Sequence, residues 1–156
     1  MEYIELLDDK LMGAIKVYGQ SIRKWPEKGS LFIKFHGPTK SSILESINLA
    51  KEIAKQHGAT GSETAKDRKK AEALWTDRKN AHYAGLGLMP GSKSWPTDVW
   101  LVLFSHRLAA IIEVGFSVPV SKLLELAYET KRKLEEAGLL GVICEHVGDG
   151  EFCAGL

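Results

Sequence analysis

The sequence predicts an α+β domain in which helices pack on one face of a small antiparallel sheet. Long amphipathic helical patterns alternate with short apolar strand patterns, and too few strands are visible for a doubly wound parallel sheet. A length of 156 residues suits one domain with a real hydrophobic core. The hydrophobic content of 44% and charged content of 26% are ordinary for a globular protein.

Charge gives no support to nucleic-acid or membrane binding. The formal net charge is +1, so no global field steers the chain towards an anionic partner. Basic side chains cluster in residues 66–70 but are interrupted by Asp67. This pattern is typical of a solvated helix face rather than of a phosphate-binding patch. No segment is long and apolar enough to predict a membrane span.

The first half of the chain predicts helix, strand and helix. Residues 3–12 open with apolar side chains at helical spacing. Residues 31–36, rich in apolar and aromatic side chains, predict a strand and are followed by Gly-Pro. Ser41 or Ser42 is the predicted N-cap of the next helix, which ends near His57-Gly58.

The second half predicts two more helices and one strand. Residues 65–85 form one long helical pattern, and residues 88–96 an irregular connection. Ser121 is expected to cap a helix that Gly138 closes. Residues 139–144 then predict a short strand that leads into a glycine-rich turn.

That turn carries a family resemblance. Residues 146–153, His-Val-Gly-Asp-Gly-Glu-Phe-Cys, closely resemble the signature His-Val-Gly-Asp-Gly-Asn-Phe-His of the C-terminal domain of FAD-linked oxidases. Three further blocks agree in order and spacing: Ile-Glu-Leu-Leu-Asp-Asp at 4–9, Ala-Glu-Ala-Leu-Trp with Arg-Lys in 71–79, and Thr-Asp-Val at 97–99 with Val-Pro-Val-Ser at 118–121. Together they resemble the D-lactate dehydrogenase (cytochrome) family, particularly its fungal mitochondrial members.

The resemblance implies an incomplete, ferredoxin-like FAD-linked oxidase C-terminal domain spanning 1–156. In the intact enzyme a separate domain, absent here, holds most of the FAD, and D-lactate is oxidised to pyruvate with electrons passed to cytochrome c. A divalent metal, zinc or manganese, holds the substrate. Its family ligands are two histidines of the signature and a glutamate of a later Gly-Glu-His-Gly segment, which would lie beyond Leu156. We therefore expect the isolated chain to be an inactive fragment.

Two residues match family binding positions. The resemblance makes His146 a metal ligand, whereas a lone histidine at a strand end is more often a structural hydrogen-bonding group. Arg78 matches the arginine that binds the substrate carboxylate, and a guanidinium suits a carboxylate because it offers a fixed bidentate fork. The alternative for Arg78 is a surface arginine paired with Asp77 or a nearby glutamate.

Three positions depart from the family pattern. Cys153 stands where the family has its second histidine, and a thiolate can still bind zinc. The alternative is a buried thiol that behaves as a small apolar side chain. Glu151 replaces an asparagine, and Glu145 replaces a glycine. These changes favour a second hypothesis, a non-catalytic remnant or mis-spliced product that folds and self-associates.

Residues 101–117 have no counterpart in the family pattern, which reads Thr-Asp-Val-Cys-Val-Pro-Val-Ser. The segment is a poor membrane span because it is short and carries three charged or titratable side chains: His106, Arg107 and Glu113. An amphipathic helix or an added strand both remain open, and an in-frame retained intron is our hypothesis for its origin. Its apolar residues predict self-association.

Localisation follows from the resemblance alone. The full-length parent is expected to be mitochondrial, although this chain carries no recognisable targeting signal. The two cysteines, Cys144 and Cys153, do not make a disulfide framework. A reducing compartment is therefore expected.

Overall fold

A computed structural model describes residues 3–18, 21, 23–88, 93–97 and 110–155. The strands are β1 (Tyr3–Leu7), β2 (Ser30–Lys34), β3 (Lys93–Thr97), β4 (Ala110–Ser117), β5 (Val142–His146) and β6 (Glu151–Gly155). The helices are α1 (Asp9–Tyr18), α2 (Lys40–Gln56), α3 (Arg68–Lys79), α4 (Ala81–Gly87) and α5 (Val120–Glu136).

The strands form one mixed sheet in the order β2-β1-β5-β6-β4-β3. Neighbouring strands are antiparallel except β3 and β4, which are parallel. The central position of β1 brings the N-terminus of the chain beside the C-terminal hairpin β5–β6. Residues far apart in sequence therefore meet on these strands.

Two hydrophobic clusters lie on opposite faces of the sheet. The first joins Leu7 and Phe32 of the sheet to buried residues of α1 and α4, with Trp75 of α3 packed against it. The second joins Leu123 of α5 to Ile143, Phe152 and Ala154. Side chains alternate between the faces of a strand, so α5 lies opposite α1, α3 and α4. The predicted α+β class is confirmed, and the helices extend over both faces.

The predicted helix at the start of the chain is wrong for its first residues. Tyr3–Leu7 is a strand because it pairs on both edges, with β2 and with β5. Asp8 then begins α1, accepting a hydrogen bond from the backbone N–H of Leu11 at 2.8 Å. The strand buries alternate residues, Glu5 and Leu7, but Glu5 is not apolar. The apolar residues of this stretch therefore keep a spacing that also fits a helix.

The next two predicted helices also need correction. The N-cap of α2 is Thr39, in a capping box with Ser42, rather than Ser41 or Ser42 itself. The single helix predicted over 65–85 is divided into α3 and α4 at Asn80. Within the connection predicted to be irregular, Lys93 to Pro96 begin strand β3.

Near the C-terminus, α5 begins before the predicted cap. Its N-cap is Pro119, without a side-chain hydrogen bond, and Ser121 lies inside the helix. The fixed φ of proline suits the residue that precedes a helix. Gly138 ends the helix as predicted, with a φ of 66°. The strand predicted at 139–144 is displaced to Val142–His146.

Part of the segment at 101–117 belongs to the sheet. Residues 110–117 form β4, which pairs with β6 and β3. Of the two predictions for this segment, an amphipathic helix or an added strand, the strand is therefore correct for residues 110–117. Residues 101–109 lie outside the described residues. Among the helices that the structure describes, none is long and apolar enough to cross a membrane.

Candidate functional site

Arg78 and His146 meet on one buried carboxylate, that of Glu5. The Nη2 atom of Arg78 contacts Oε2 of Glu5. The Nδ1 atom of His146 lies 3.2 Å from Oε1 of the same side chain. The side chain of Glu5 is 6% exposed, that of Arg78 13% and that of His146 36%. The cluster is therefore anchored in the interior and open to solvent at the imidazole.

Strand register and helix packing bring the three side chains together. Glu5 lies directly opposite His146 in the β1–β5 pair, and opposite residues project from the same face of a sheet. Arg78 is in the last turn of α3. That helix is held to β1 by Trp75, whose ring centroid is 5.8 Å from that of Tyr3. Trp75 is packed against the first hydrophobic cluster.

Arg78 is not the surface arginine that its alternative interpretation required. Asp77 is engaged elsewhere, since its Oδ2 accepts hydrogen bonds from Ser21, Arg23 and Trp25. The Nε of Arg78 is buried and has no hydrogen-bond partner in the described part of the chain. A buried donor without an acceptor costs roughly 1–3 kcal/mol, so an acceptor that reached this atom would stabilise the site.

The turn after His146 requires one of its two glycines. Gly150 has a φ of 75°, and a Cβ there would lie 2.3 Å from the carbonyl oxygen of Val118. The amide of Val118 also donates to the carbonyl of Gly150 at 2.8 Å. Gly148 has nothing within 4 Å of a built Cβ. Close backbone approach is therefore specific to Gly150.

Cys153 shares a sheet face with His146. In the β5–β6 hairpin His146 is opposite Glu151, and Cys144 is opposite Cys153. His146 and Cys153 are thus diagonal neighbours on one face of the hairpin, roughly 7–8 Å apart at Cα. Among the described residues no group of three His, Cys, Asp or Glu side chains could hold a metal.

Cys144 does not extend this donor pair. Burial raises the pKa of its thiol to about 12, so the thiol stays protonated at neutral pH. The thiolate is the form that binds metals. Cys144 is instead packed against the first hydrophobic cluster.

Glu145 projects from the other face of β5. It is 1% exposed, and its Oε1 lacks a hydrogen-bond partner in the described part of the chain. Burial raises the pKa of its carboxyl to about 7. Glu151 is exposed. Glu145 and Glu151 both depart from the family pattern, but only Glu145 places a titratable group in the core.

A separate cavity of about 400 Å³ lies at the other end of β1. Its lining includes Asp8, Asp9 and Lys131, but none of the predicted site residues. Burial raises the pKa of Asp8 to about 6, while a hydrogen bond from Lys131 lowers the pKa of Asp9. Because Asp8 also caps α1, this cluster has a structural explanation.

Sequence reasoning missed Glu5. It was read as part of a helix, where an acidic residue between apolar neighbours lies on the solvent side. The strand assignment reverses this, because Glu5 then alternates with Ile4 and Leu6 and shares the buried face of Leu7. The available signal was its place in the block 4–9 that resembles the family.

The comparisons with known proteins agree with this architecture. The family model for FAD linked oxidases, C-terminal domain, matches residues 1–155. The chain belongs to this family. The predicted family membership is therefore confirmed, and the fold described above is that of a FAD-linked oxidase C-terminal domain.

Curated relatives are similar over nearly the whole chain. A probable mitochondrial D-lactate dehydrogenase of Danio rerio is 32% identical over 149 residues, covering 96% of this chain and 26% of that protein. A mitochondrial D-lactate dehydrogenase [cytochrome] of Kluyveromyces lactis is 33% identical over 156 residues, covering 97% of this chain and 24% of that protein. The chain thus spans about a quarter of the length of these relatives.

Proposed function

We propose that this chain is the substrate- and metal-side domain of a flavin-dependent D-2-hydroxy-acid dehydrogenase that oxidises D-lactate to pyruvate. The relatives named above are D-lactate dehydrogenases, and the family is FAD-linked. FAD would be held mainly by parts of a longer protein, because the chain spans only about a quarter of its relatives. The isolated chain is then inactive.

One observation carries the proposal: Arg78 and His146, matched independently to family binding positions, converge on Glu5. Arg78 would bind the substrate carboxylate through guanidinium N–H groups that do not contact Glu5. His146 would bind a divalent metal through Nε2, with Cys153 as a second ligand on the same face. When bound, the metal would hold the hydroxyl and carboxylate of the substrate as a Lewis acid.

The names of the relatives suggest an electron acceptor and a cellular location for the intact enzyme. The Kluyveromyces lactis protein is named both mitochondrial and cytochrome-linked, and so is a relative from Saccharomyces cerevisiae that is 28% identical. We propose cytochrome c as the electron acceptor of the intact enzyme and a mitochondrial location for it. Hydride transfer itself is the chemistry of the flavin.

Metal titration of the chain tests the ligand assignment. Calorimetry with Zn²⁺ and Mn²⁺ should detect one site, weakened at least tenfold by H146A and to a lesser extent by C153S. H36A is the matched control, because His36 is exposed and lies outside the cluster. Equal affinities in the wild type and H146A would contradict the role of His146.

Substrate binding tests Arg78. In the presence of Zn²⁺ the chain should bind D-lactate, and R78K should weaken binding because an ammonium cannot offer the planar fork of a guanidinium. K79R, at the exposed neighbouring position, is the control. The purified chain should show neither flavin absorbance nor D-lactate-dependent dye reduction. Either signal would contradict the assignment of FAD to another part of the protein.

The alternative is a non-catalytic remnant that folds without enzymatic function. It is favoured by Glu145, a buried residue whose Oε1 has no hydrogen-bond partner in the described part of the chain. The absence of a three-ligand group among the described residues also favours it. A well-folded chain that binds neither metal nor D-lactate would support this alternative against the first proposal.

A further inference from the structure

The side chain of Glu5 is placed where an acidic residue is costly. It projects from the middle of β1, between β2 and β5, towards the face that also carries buried Leu7. Its side chain is 6% exposed. Burying a carboxylate is strongly unfavourable unless charged or hydrogen-bonding groups compensate it.

Each oxygen of Glu5 faces a different functional group. Oε2 contacts Nη2 of Arg78, and Oε1 lies 3.2 Å from Nδ1 of His146. An ionised carboxylate only accepts hydrogen bonds. Both partners must therefore present a proton to it, which fixes how each of them is turned.

For His146 this orientation selects a tautomer. With the proton on Nδ1 facing Glu5, the lone pair is on Nε2, on the far side of the ring. Metal-binding histidines commonly donate their second ring N–H to a carboxylate, which orients the ring and raises its basicity. For Arg78, Nη2 and Oε2 of Glu5 are in contact as an ion pair, while neither Oε2 nor the buried Nε–H of Arg78 has a hydrogen-bond partner in the described part of the chain.

We infer that Glu5 is a positioning residue that orients His146 towards a metal ion and Arg78 towards a substrate carboxylate. It touches neither ligand and acts through the two side chains that do. This inference rests on the proposed function. It adds a residue for which sequence reasoning gave no role.

The variant E5Q tests the inference because an amide has one acceptor and one donor end. The amide oxygen should face the cationic Arg78, since hydrogen bonds to a charged donor are the stronger ones. Its NH₂ group would then face His146, and Nδ1 would have to accept. The proton should move to Nε2, which blocks the nitrogen proposed to bind metal.

Glu145 supplies the matched control. It precedes His146 on β5, is buried to a similar degree and projects from the opposite face. In E145Q the His146 tautomer and the Zn²⁺ affinity should equal those of the wild type. Thermal unfolding of all three proteins separates an effect on folding from an effect on orientation.

Two measurements decide the question, the ¹⁵N shifts of the neutral His146 imidazole and the Zn²⁺ affinity. We expect the Nδ1–H tautomer in the wild type, the Nε2–H tautomer in E5Q, and roughly a 10–100-fold loss of Zn²⁺ affinity in E5Q. A folded E5Q with the wild-type tautomer and affinity would overturn the inference.

The tautomer measurement also separates the role of Glu5 from the proposed metal site. If the wild type binds no Zn²⁺, the proposed metal site fails, and the imidazole shifts still decide whether Glu5 orients the ring. If E5Q does not fold, the wild type alone is decisive. An Nε2–H tautomer there would overturn the inference.

Discussion

The cluster of Glu5, Arg78 and His146 contains two residues that the sequence singles out and one that it does not. Arg78 and His146 could be proposed as site residues from the sequence because each stands in a block with a recognisable pattern. The partner that joins them was not, since it lies at the opposite end of the chain and is brought to His146 by strand register. No local pattern distinguishes Glu5 from a solvent-exposed glutamate.

Glu145 should make the stability of the domain depend on pH. Its pKa is raised from 4.5 to about 7 by burial. Between these values the folded protein retains a proton that the unfolded chain releases, so the free energy of unfolding falls as the pH rises. E145Q should reduce this fall by about 3 kcal/mol.

Urea denaturation from about pH 4 to about pH 8 measures the effect, because this range spans the unfolded and the folded pKa of Glu145. E52Q, on the exposed face of α2, should keep the wild-type dependence. A profile of E145Q that overlays that of the wild type would show that Glu145 is solvated in the folded state.

At the scale of elements, local residue patterns predict some helix boundaries and miss others. Gly138 was recognised as a helix end because a positive φ is a residue-level property of glycine. The predicted starts of α2 and α5 lie two or three residues beyond the observed caps, because several adjacent residues could serve as caps. The boundary between β1 and α1 depended on sheet pairing, which no local pattern shows.

The hairpin β5–β6 should depend on Gly150 and not on Gly148. G150A places a Cβ against the carbonyl of Val118 at a φ of 75° and should cost more than about 2 kcal/mol. G148A meets nothing within 4 Å and should change stability by no more than about 0.5 kcal/mol. Similar denaturation midpoints for the two variants would contradict the described turn.

The start of α1 should depend on the cap at Asp8. Its carboxylate accepts from the amide of Leu11 at 2.8 Å. D8N keeps an acceptor at this position and D8A does not, while both remove the buried charge. We therefore expect D8A to be less stable than D8N by about 1 kcal/mol. Chemical denaturation of the pair isolates the cap, and equal stabilities would remove Asp8 from this role.

At the scale of the whole molecule, helix α2 leaves large apolar side chains exposed to solvent. No side chain of α2 is buried, and Leu44, Leu49 and Ile53 are each about half exposed or more. The sequence predicted the α+β class from alternating patterns. It could not predict the parallel β3–β4 pair, because a strand edge chooses its partner through tertiary packing.

The isolated chain should self-associate. The exposed apolar side chains of α2 add to the apolar segment at 101–117, and large apolar patches promote association in water. Sedimentation velocity at increasing concentration should show a rising mean sedimentation coefficient. A single monomeric species at the highest concentration would refute this expectation.

The central claim is that the cluster of Glu5, Arg78 and His146 is the ligand-binding site of the domain. A Zn²⁺ titration of the ¹⁵N-labelled chain, monitored at the two imidazole nitrogens of His146, tests it most directly. The account predicts that the Nε2 resonance changes on binding while Nδ1 keeps its proton towards Glu5. A titration that leaves both nitrogens unchanged, or that places the metal on Nδ1, would contradict it.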